Sequence, residues 1–249
     1  MFSAPRFVAV DDRPDHLEAI IKTFQVIGSP CMGIRYDPAS PPDNIHFRAV
    51  RALFIDMHLL EGIPTTQETK HFALIGALLE DNIHATGGPY VLVIWTQHAN
   101  LCGQLKDYLN ANLDPKKPYA RPLAVLCLDK EKFINLENGE PKEAGLLQEA
   151  VEGAIAESPQ LSALLSWETD VLGAAGTTLA ALLELIPPDL RQTHSYPNAL
   201  DQLLSRLAAV GVGKLNVPAD KRAAINSVLG PILADRIQNQ GTSEDIQAL

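Results

Sequence analysis

Positive charge is scarce in this chain. Twenty Lys and Arg stand against 30 Asp and Glu among 249 residues, and the formal net charge is −10. Proteins that bind nucleic acids or anionic membranes nonspecifically do so through a surplus of basic residues near phosphates. The acidic balance therefore argues against both partners. The C-terminal segment "DKRAAINSVLGPILADR" (220–236) carries charges of both signs and does not read as a basic recognition helix.

Long apolar runs and closely paired cysteines are also missing. No apolar stretch reaches the ~18 residues of a membrane-spanning helix, and the N-terminus lacks the apolar core of a secretory signal. The three cysteines, Cys31, Cys102 and Cys127, form an odd set without close spacing. This favours reduced thiols over a disulfide framework. We therefore expect a cytoplasmic protein.

Short apolar runs alternate with helical patterns in the first three fifths of the chain. Helical spacing or helix-ending residues follow most of these runs, as in the stretches 14–28, 65–82, 101–113 and 144–157. Because crossover helices bury strands of this kind on both faces, the pattern predicts an α/β fold with a doubly wound, five-stranded parallel sheet over residues 1–157. The five runs are "RFVAV" (6–10), "CMGIRY" (31–36), "RALFID" (51–56), "YVLVIWT" (90–96) and "PLAVLCLD" (122–129).

The remainder of the chain changes character. From residue 158 to 249, leucine and isoleucine recur at helical spacing and no strand pattern competes with them. This predicts a second, all-α domain of three or four helices. Pro231 falls within the last helical pattern, where we expect it to kink or split the helix.

Polar residues follow the predicted strands at the point where each ends. Asp11 and Asp12 end the first strand, Asp56 the third and Thr96 the fourth, and Lys130 follows the fifth. Ligands of parallel sheets gather beyond these carboxyl ends. Three crowded carboxylates would repel one another unless a hard cation such as Mg²⁺ lies among them. A carboxylate nucleophile, a cation, an ammonium and a hydroxyl together predict a phosphoryl-transfer site.

Simpler roles for the same residues remain open. Asp12 or Asp15 could cap the first helix. Lys130 lies in "DKEK" (129–132), which could be no more than a solvated charge cluster.

Four segments follow one another along the chain: "VAVDD", "ALFIDMH", "VLVIWT" and "VLCLDK". Receiver domains of two-component response regulators have such segments in the same order, and residues 5–157 resemble these domains. The resemblance implies the strand order 2-1-3-4-5. It also implies that Asp11, Asp12, Asp56 and the backbone carbonyl of His58 bind Mg²⁺. In the same family one aspartate is phosphorylated, and a hydroxyl residue and a lysine assist the phosphoryl transfer. The matching positions in this chain are Asp56, Thr96 and Lys130.

Three positions depart from the receiver pattern. In receivers a proline follows the lysine, and its cis peptide bond directs the lysine side chain into the site, whereas here Glu131 follows Lys130. Lys132 is therefore an alternative for the lysine that reaches the site. Cys127 replaces the aromatic switch residue. Gln97 is large where receivers commonly have a small residue that admits phosphate.

The resemblance implies a phosphorylation-controlled signalling protein rather than an enzyme with a separate substrate. A sensor histidine kinase or phosphotransfer protein would donate the phosphoryl group to Asp56. A protein effector, or a second copy of the chain, would respond through the helical region. Two alternatives stay open: a pseudo-receiver that binds partners without phosphorylation, and a phosphohydrolase with Asp56 as nucleophile. The phosphohydrolase usually needs an acidic residue where this chain has His58.

Overall fold

The computed structural model of the chain describes residues 5–26, 28–60, 64, 67–135, 140, 142, 144–214 and 220–239. The chain divides into two compact units, Met1–Leu161 and Ser162–Leu249.

A parallel sheet of five strands forms the centre of the first unit, and its order, β2-β1-β3-β4-β5, is the predicted one. All four pairings are parallel. Each strand begins and ends within two residues of its predicted bounds, because short apolar runs closed by Asp, Pro or Gly leave little freedom in where a buried strand stops. The strands are β1 (Phe7–Asp11), β2 (Cys31–Arg35), β3 (Ala52–Asp56), β4 (Val91–Thr96) and β5 (Ala124–Asp129).

Helices connect β1 to β2, β3 to β4 and β4 to β5, whereas the connection from β2 to β3 contains only a short 3₁₀ turn. The helices of the first unit are α1 (Pro14–Val26), α2 (Glu68–Asn82), α3 (Cys102–Asn112), α4 (Lys130–Phe133) and α5 (Ala144–Ala156). Three short 3₁₀ turns lie between them, at Asn44–Phe47, Ala99–Leu101 and Pro118–Ala120.

The helices cover both faces of the sheet, which makes the fold doubly wound. On one face, α2 and α3 contact each other and pack on side chains such as Val10, Ile55 and Ile94. On the other face, α1 contacts α5, and Phe24 of α1 meets the ring of Phe54 edge to face. Gly33 of β2 allows α1 to approach closely, because a Cβ there would collide with the Ile21 side chain. The central strands are therefore buried on both sides, as their continuous apolar runs predict.

Helices make up the described part of the C-terminal region. They are α6 (Pro159–Glu184), α7 (Pro188–Arg191), α8 (Tyr196–Val212) and α9 (Lys221–Asn239), and α8 packs against α9. Pro231 lies inside α9 without splitting it. The helix continues past the proline although the proline ring removes one backbone hydrogen bond. In the described residues, no helix has both the length and the apolar character that a bilayer crossing requires.

The cysteines differ from expectation. A disulfide joins Cys102 at the start of α3 to Cys127 in β5, while Cys31 is a free thiol. The prediction of three reduced thiols is therefore wrong for two of them. Sequence spacing did not indicate the pair, because a sequence separation of 25 covers the rest of α3 and the connection to β5. In the fold the two Cα atoms lie 6.2 Å apart.

Candidate functional site

Parallel pairing brings the predicted site residues to one edge of the sheet. Val10 of β1 is in register with Ile55 of β3, so Asp11 and Asp56 end neighbouring strands. Thr96 ends β4 in register with Asp129 of β5, and Lys130 follows directly. The carboxyl ends of β1, β3, β4 and β5 thus supply one cluster of side chains, as the sequence predicts.

The Lys130 ammonium lies at the centre of this cluster. Its Nζ is 2.8 Å from Asp11 Oδ2, 2.9 Å from Asp56 Oδ2 and 3.2 Å from His16 Nδ1. Only 3% of the lysine side chain is exposed. The alternative of a solvated charge cluster is therefore wrong for Lys130. Lys132, the other candidate, is exposed.

A capped turn sets the direction of the lysine. The Asp129 side chain accepts a hydrogen bond from the backbone N–H of Glu131 at 3.1 Å, which makes Asp129 the N-cap of the short helix α4. The described residues contain no cis peptide bond, so the peptide between Lys130 and Glu131 is trans. The lysine reaches the acidic residues from this turn without a cis-proline.

The three carboxylates converge. Asp11, Asp12 and Asp56 each offer an oxygen, and these oxygens lie within 4.8 Å of one another. Asp11 and Asp56 are buried and Asp12 is partly exposed. Carboxylate oxygens are the ligands that Mg²⁺ takes from proteins, so this donor set fits a hard divalent cation. The ammonium of Lys130 already supplies one positive charge, which reduces the repulsion among the carboxylates on which the prediction of a metal depends.

The buried carboxyl of Asp11 has an unusual protonation equilibrium. Its pKa is raised to about 7, mainly by burial and also by nearby Asp56, against the opposing effect of Lys130. Its Oδ1 accepts a hydrogen bond at 2.9 Å from the backbone N–H of Arg13 in the turn before α1. Of the predicted helix-capping candidates, Asp15 instead forms an ion pair with the Arg13 side chain.

A cleft opens over Asp56. Its volume is about 230 Å³. Thr96 is buried beneath it, and its hydroxyl oxygen accepts the backbone N–H of His98 at 3.0 Å, which leaves the O–H proton available for donation. Gln97 is exposed and lines the cleft, whose volume is measured with this long side chain in place. The lining comprises Asp12, Arg13, His16, Asp56, His58, Leu60, Thr96, Gln97, His98 and Lys130.

Three histidine rings flank the cleft on the side of α2. The His58 ring lies edge to face with His71 of α2, at 4.5 Å between centroids, and with His98, at 4.9 Å. His58 Nε2 and both ring nitrogens of His71 are buried without a hydrogen-bond partner among the described residues. Burial, followed by the proximity of His71, lowers the pKa of His58. The sequence offered only the backbone carbonyl of His58 as a metal ligand and did not predict this ring cluster.

Two contacts join the β4 end of the site to the β5 end. Trp95, which precedes Thr96, stacks on Phe133 of α4 at 5.6 Å between centroids. The Cys102–Cys127 disulfide joins the helix after the Gln97–Leu101 segment to the strand that leads to Lys130. The segments that carry Thr96 and Lys130 are therefore tied both by packing and by a covalent bond.

No protein-family model matches the chain, and comparison with curated proteins and with solved structures gave no match. The likeness to receiver domains therefore depends on strand order and on the acidic cluster. Both are compatible with a receiver-like fold.

Proposed function

We propose that this chain is a phosphorylation-controlled signalling protein in which Asp56 accepts a phosphoryl group from a histidine of a partner kinase or phosphotransfer protein. The observation that carries the proposal is the environment of Asp56. This carboxylate lies at the floor of an open cleft, 2.9 Å from a buried ammonium and within 4.8 Å of two further carboxylates.

The transfer is a single displacement at phosphorus. A carboxylate oxygen of Asp56 forms a bond to phosphorus while the bond from phosphorus to the donor histidine nitrogen breaks, and the imidazole leaves with the bonding electron pair. The product is an acyl phosphate. The phosphoryl oxygens carry negative charge throughout, so an ammonium and a hydroxyl already in place lower the barrier. Lys130 supplies the ammonium and Thr96 the hydroxyl.

Asp11, Asp12 and Asp56, with the backbone carbonyl of His58, would hold the Mg²⁺ ion of this site. A bound Mg²⁺ neutralises phosphoryl oxygens and orients them for in-line attack. The chain's own contribution is to keep the acidic oxygens converged. The Arg13 amide holds one oxygen of Asp11 and the Lys130 ammonium holds the other.

The test is phosphorylation of the full chain by acetyl phosphate with and without Mg²⁺, read by intact-protein mass spectrometry. We expect a gain of one phosphoryl group that requires Mg²⁺ and is lost in Asp56→Asn. Asp15→Asn, which removes a nearby carboxylate outside the cluster, is the matched control and should be phosphorylated like the wild type. A wild-type chain that neither gains the group nor binds beryllofluoride with Mg²⁺ would overturn the proposal.

One observation favours a second candidate, a pseudo-receiver that binds a partner without phosphorylation. Lys130 contacts both buried carboxylates, and burial raises the pKa of Asp11 to about 7, so the acidic cluster is stabilised without a metal. In that case the wild type would stay unphosphorylated, and Asp56→Asn would bind its partner with unchanged affinity.

A further inference from the structure

His16 lies beneath the cleft without a role in the transfer described above. It is the third residue of α1, it lines the cleft, and it is 3% exposed. Its Nδ1 lies 3.2 Å from Lys130 Nζ, across 114 positions of sequence. The sequence did not predict this contact, because the strand ends bring only carboxylates and Thr96 to the lysine.

The chemistry of the contact fixes the state of the ring. An ammonium has three N–H donors and no acceptor, so His16 Nδ1 must be the acceptor and the ring proton must lie on Nε2. Three acceptor atoms lie within 3.2 Å of Nζ, one each on Asp11, Asp56 and His16. The number of acceptors equals the number of ammonium donors, and each acceptor comes from a different element of the fold.

The surroundings keep the ring neutral, as an acceptor must be. The pKa of His16 is lowered to about 4, mainly by burial and also by the charges of Lys130 and Arg13. The carboxylates of Asp15 and Asp56 act in the opposite direction without reversing the effect. A cationic ring would face the Lys130 ammonium directly.

Carboxylates alone would not centre the lysine. Asp11 and Asp56 each place one oxygen within 2.9 Å of Nζ, which leaves a third ammonium N–H, and a buried N–H without an acceptor carries a desolvation penalty. We propose that His16 is a positioning residue that holds the Lys130 ammonium between Asp11 and Asp56, so that the ammonium is aimed before a phosphoryl group arrives. This inference rests on the proposed function for its catalytic consequence, but not for the contact itself.

Two polar variants separate this role from simple packing. In His16→Asn the side-chain amide places its oxygen near the position of Nδ1, whereas in His16→Gln the amide reaches the position of Nε2. We expect His16→Asn to be phosphorylated by acetyl phosphate within about threefold of the wild-type rate, and His16→Gln to be slower by about tenfold or more, because one charge-assisted hydrogen bond is lost. His194→Gln, at an exposed histidine, is the matched control and should leave the rate unchanged.

A second measurement reports the contact independently of phosphorylation. In protein labelled with ¹⁵N-lysine, the buried Lys130 ammonium should give a slowly exchanging ¹H–¹⁵N signal that is absent from Lys130→Met. We expect the signal to persist in His16→Asn and to broaden away in His16→Gln, with both variants showing wild-type circular dichroism.

The outcomes are distinct. If His16→Gln keeps both the rate and the ammonium signal, the inference is wrong. If the wild type is never phosphorylated but the signal follows the variants as expected, the positioning contact stands and the proposed function fails. If His16→Asn loses the signal as completely as His16→Gln, acceptance at Nδ1 is not what holds the lysine, and the inference is again wrong.

Discussion

The two sides of the cleft satisfy their buried polar groups very differently. On the lysine side, formed by Asp11, His16 and Lys130, the ammonium and both oxygens of Asp11 have close partners, and among the side-chain atoms of these three residues only His16 Nε2 is buried without one in the described part of the chain. On the histidine side, formed by His58, His71 and His98, buried ring nitrogens have no hydrogen-bond partner among the described residues. A satisfied network is rigid and costly to break, whereas an unsatisfied one can be replaced by apolar groups at little cost.

Removal of the central cation should have the largest effect. Lys130→Met leaves the buried carboxylates of Asp11 and Asp56 without their ammonium, and breaking a buried ion pair in this way costs about 3–5 kcal/mol. Urea unfolding measures the loss. Lys132→Met, two residues away and exposed, is the control and should change the free energy of unfolding by less than about 0.5 kcal/mol. Equal stability of the two variants would contradict the description of the lysine side.

Reduction of the Cys102–Cys127 disulfide should have the next largest effect. The bond closes a loop across a sequence separation of 25, and the chain-entropy relation assigns such a loop about 3 kcal/mol. We expect dithiothreitol to lower the urea midpoint of the wild type. The Cys102→Ala/Cys127→Ala variant should unfold at the same midpoint with and without reductant, and Cys31→Ala should respond as the wild type does. Insensitivity of the wild type to reductant would show that α3 and β5 are not covalently joined.

The contrast is tested most directly by the same substitution on each side. His16→Leu removes an acceptor from a buried ammonium and should cost about 1–3 kcal/mol. His71→Leu replaces a buried ring whose nitrogens are unpartnered, and we expect a change within about 1 kcal/mol, of either sign. Thermal and urea unfolding of the two variants gives the comparison. A larger loss for His71→Leu would mean that the histidine side contains a partner that stabilises it.

The smallest effect concerns pH. The pKa of His16 falls from 6.5 to about 4 on folding, so between these values the unfolded chain binds the additional proton and stability decreases as pH falls. The free energy of unfolding of the wild type relative to His16→Asn should therefore decrease from about pH 7 to pH 6, by less than about 1 kcal/mol. Asp11 has the opposite effect on stability, because its raised pKa makes the fold less stable as pH rises toward 7. Since both proteins contain Asp11, its contribution cancels in the difference between their free energies of unfolding. A constant difference over this interval would indicate that the ring is solvated.

The sheet was predictable because its signals are local. Each strand is a short apolar run that ends in a polar residue, and parallel pairing then collects Asp11, Asp56, Thr96 and Lys130 at one edge without further information. The His16 contact and the disulfide depend on distances between residues far apart in sequence, and spacing rules do not report such distances. One signal for His16 was present: it lies one turn before Ile20 and two turns before Thr23, on the buried face of α1. A polar side chain on the buried face of a helix needs a hydrogen-bond partner.

The stacking of Trp95 on Phe133 gives the protein an internal optical reporter. Trp95 is 1% exposed and lies in register with Asp56, while the second of the two tryptophans, Trp167, is 55% exposed. Iodide or acrylamide in solution quenches an exposed indole far more readily than a buried one. The unquenched emission of this chain thus comes from the ring beside the cleft, and events at Asp56 can be followed in the unlabelled protein.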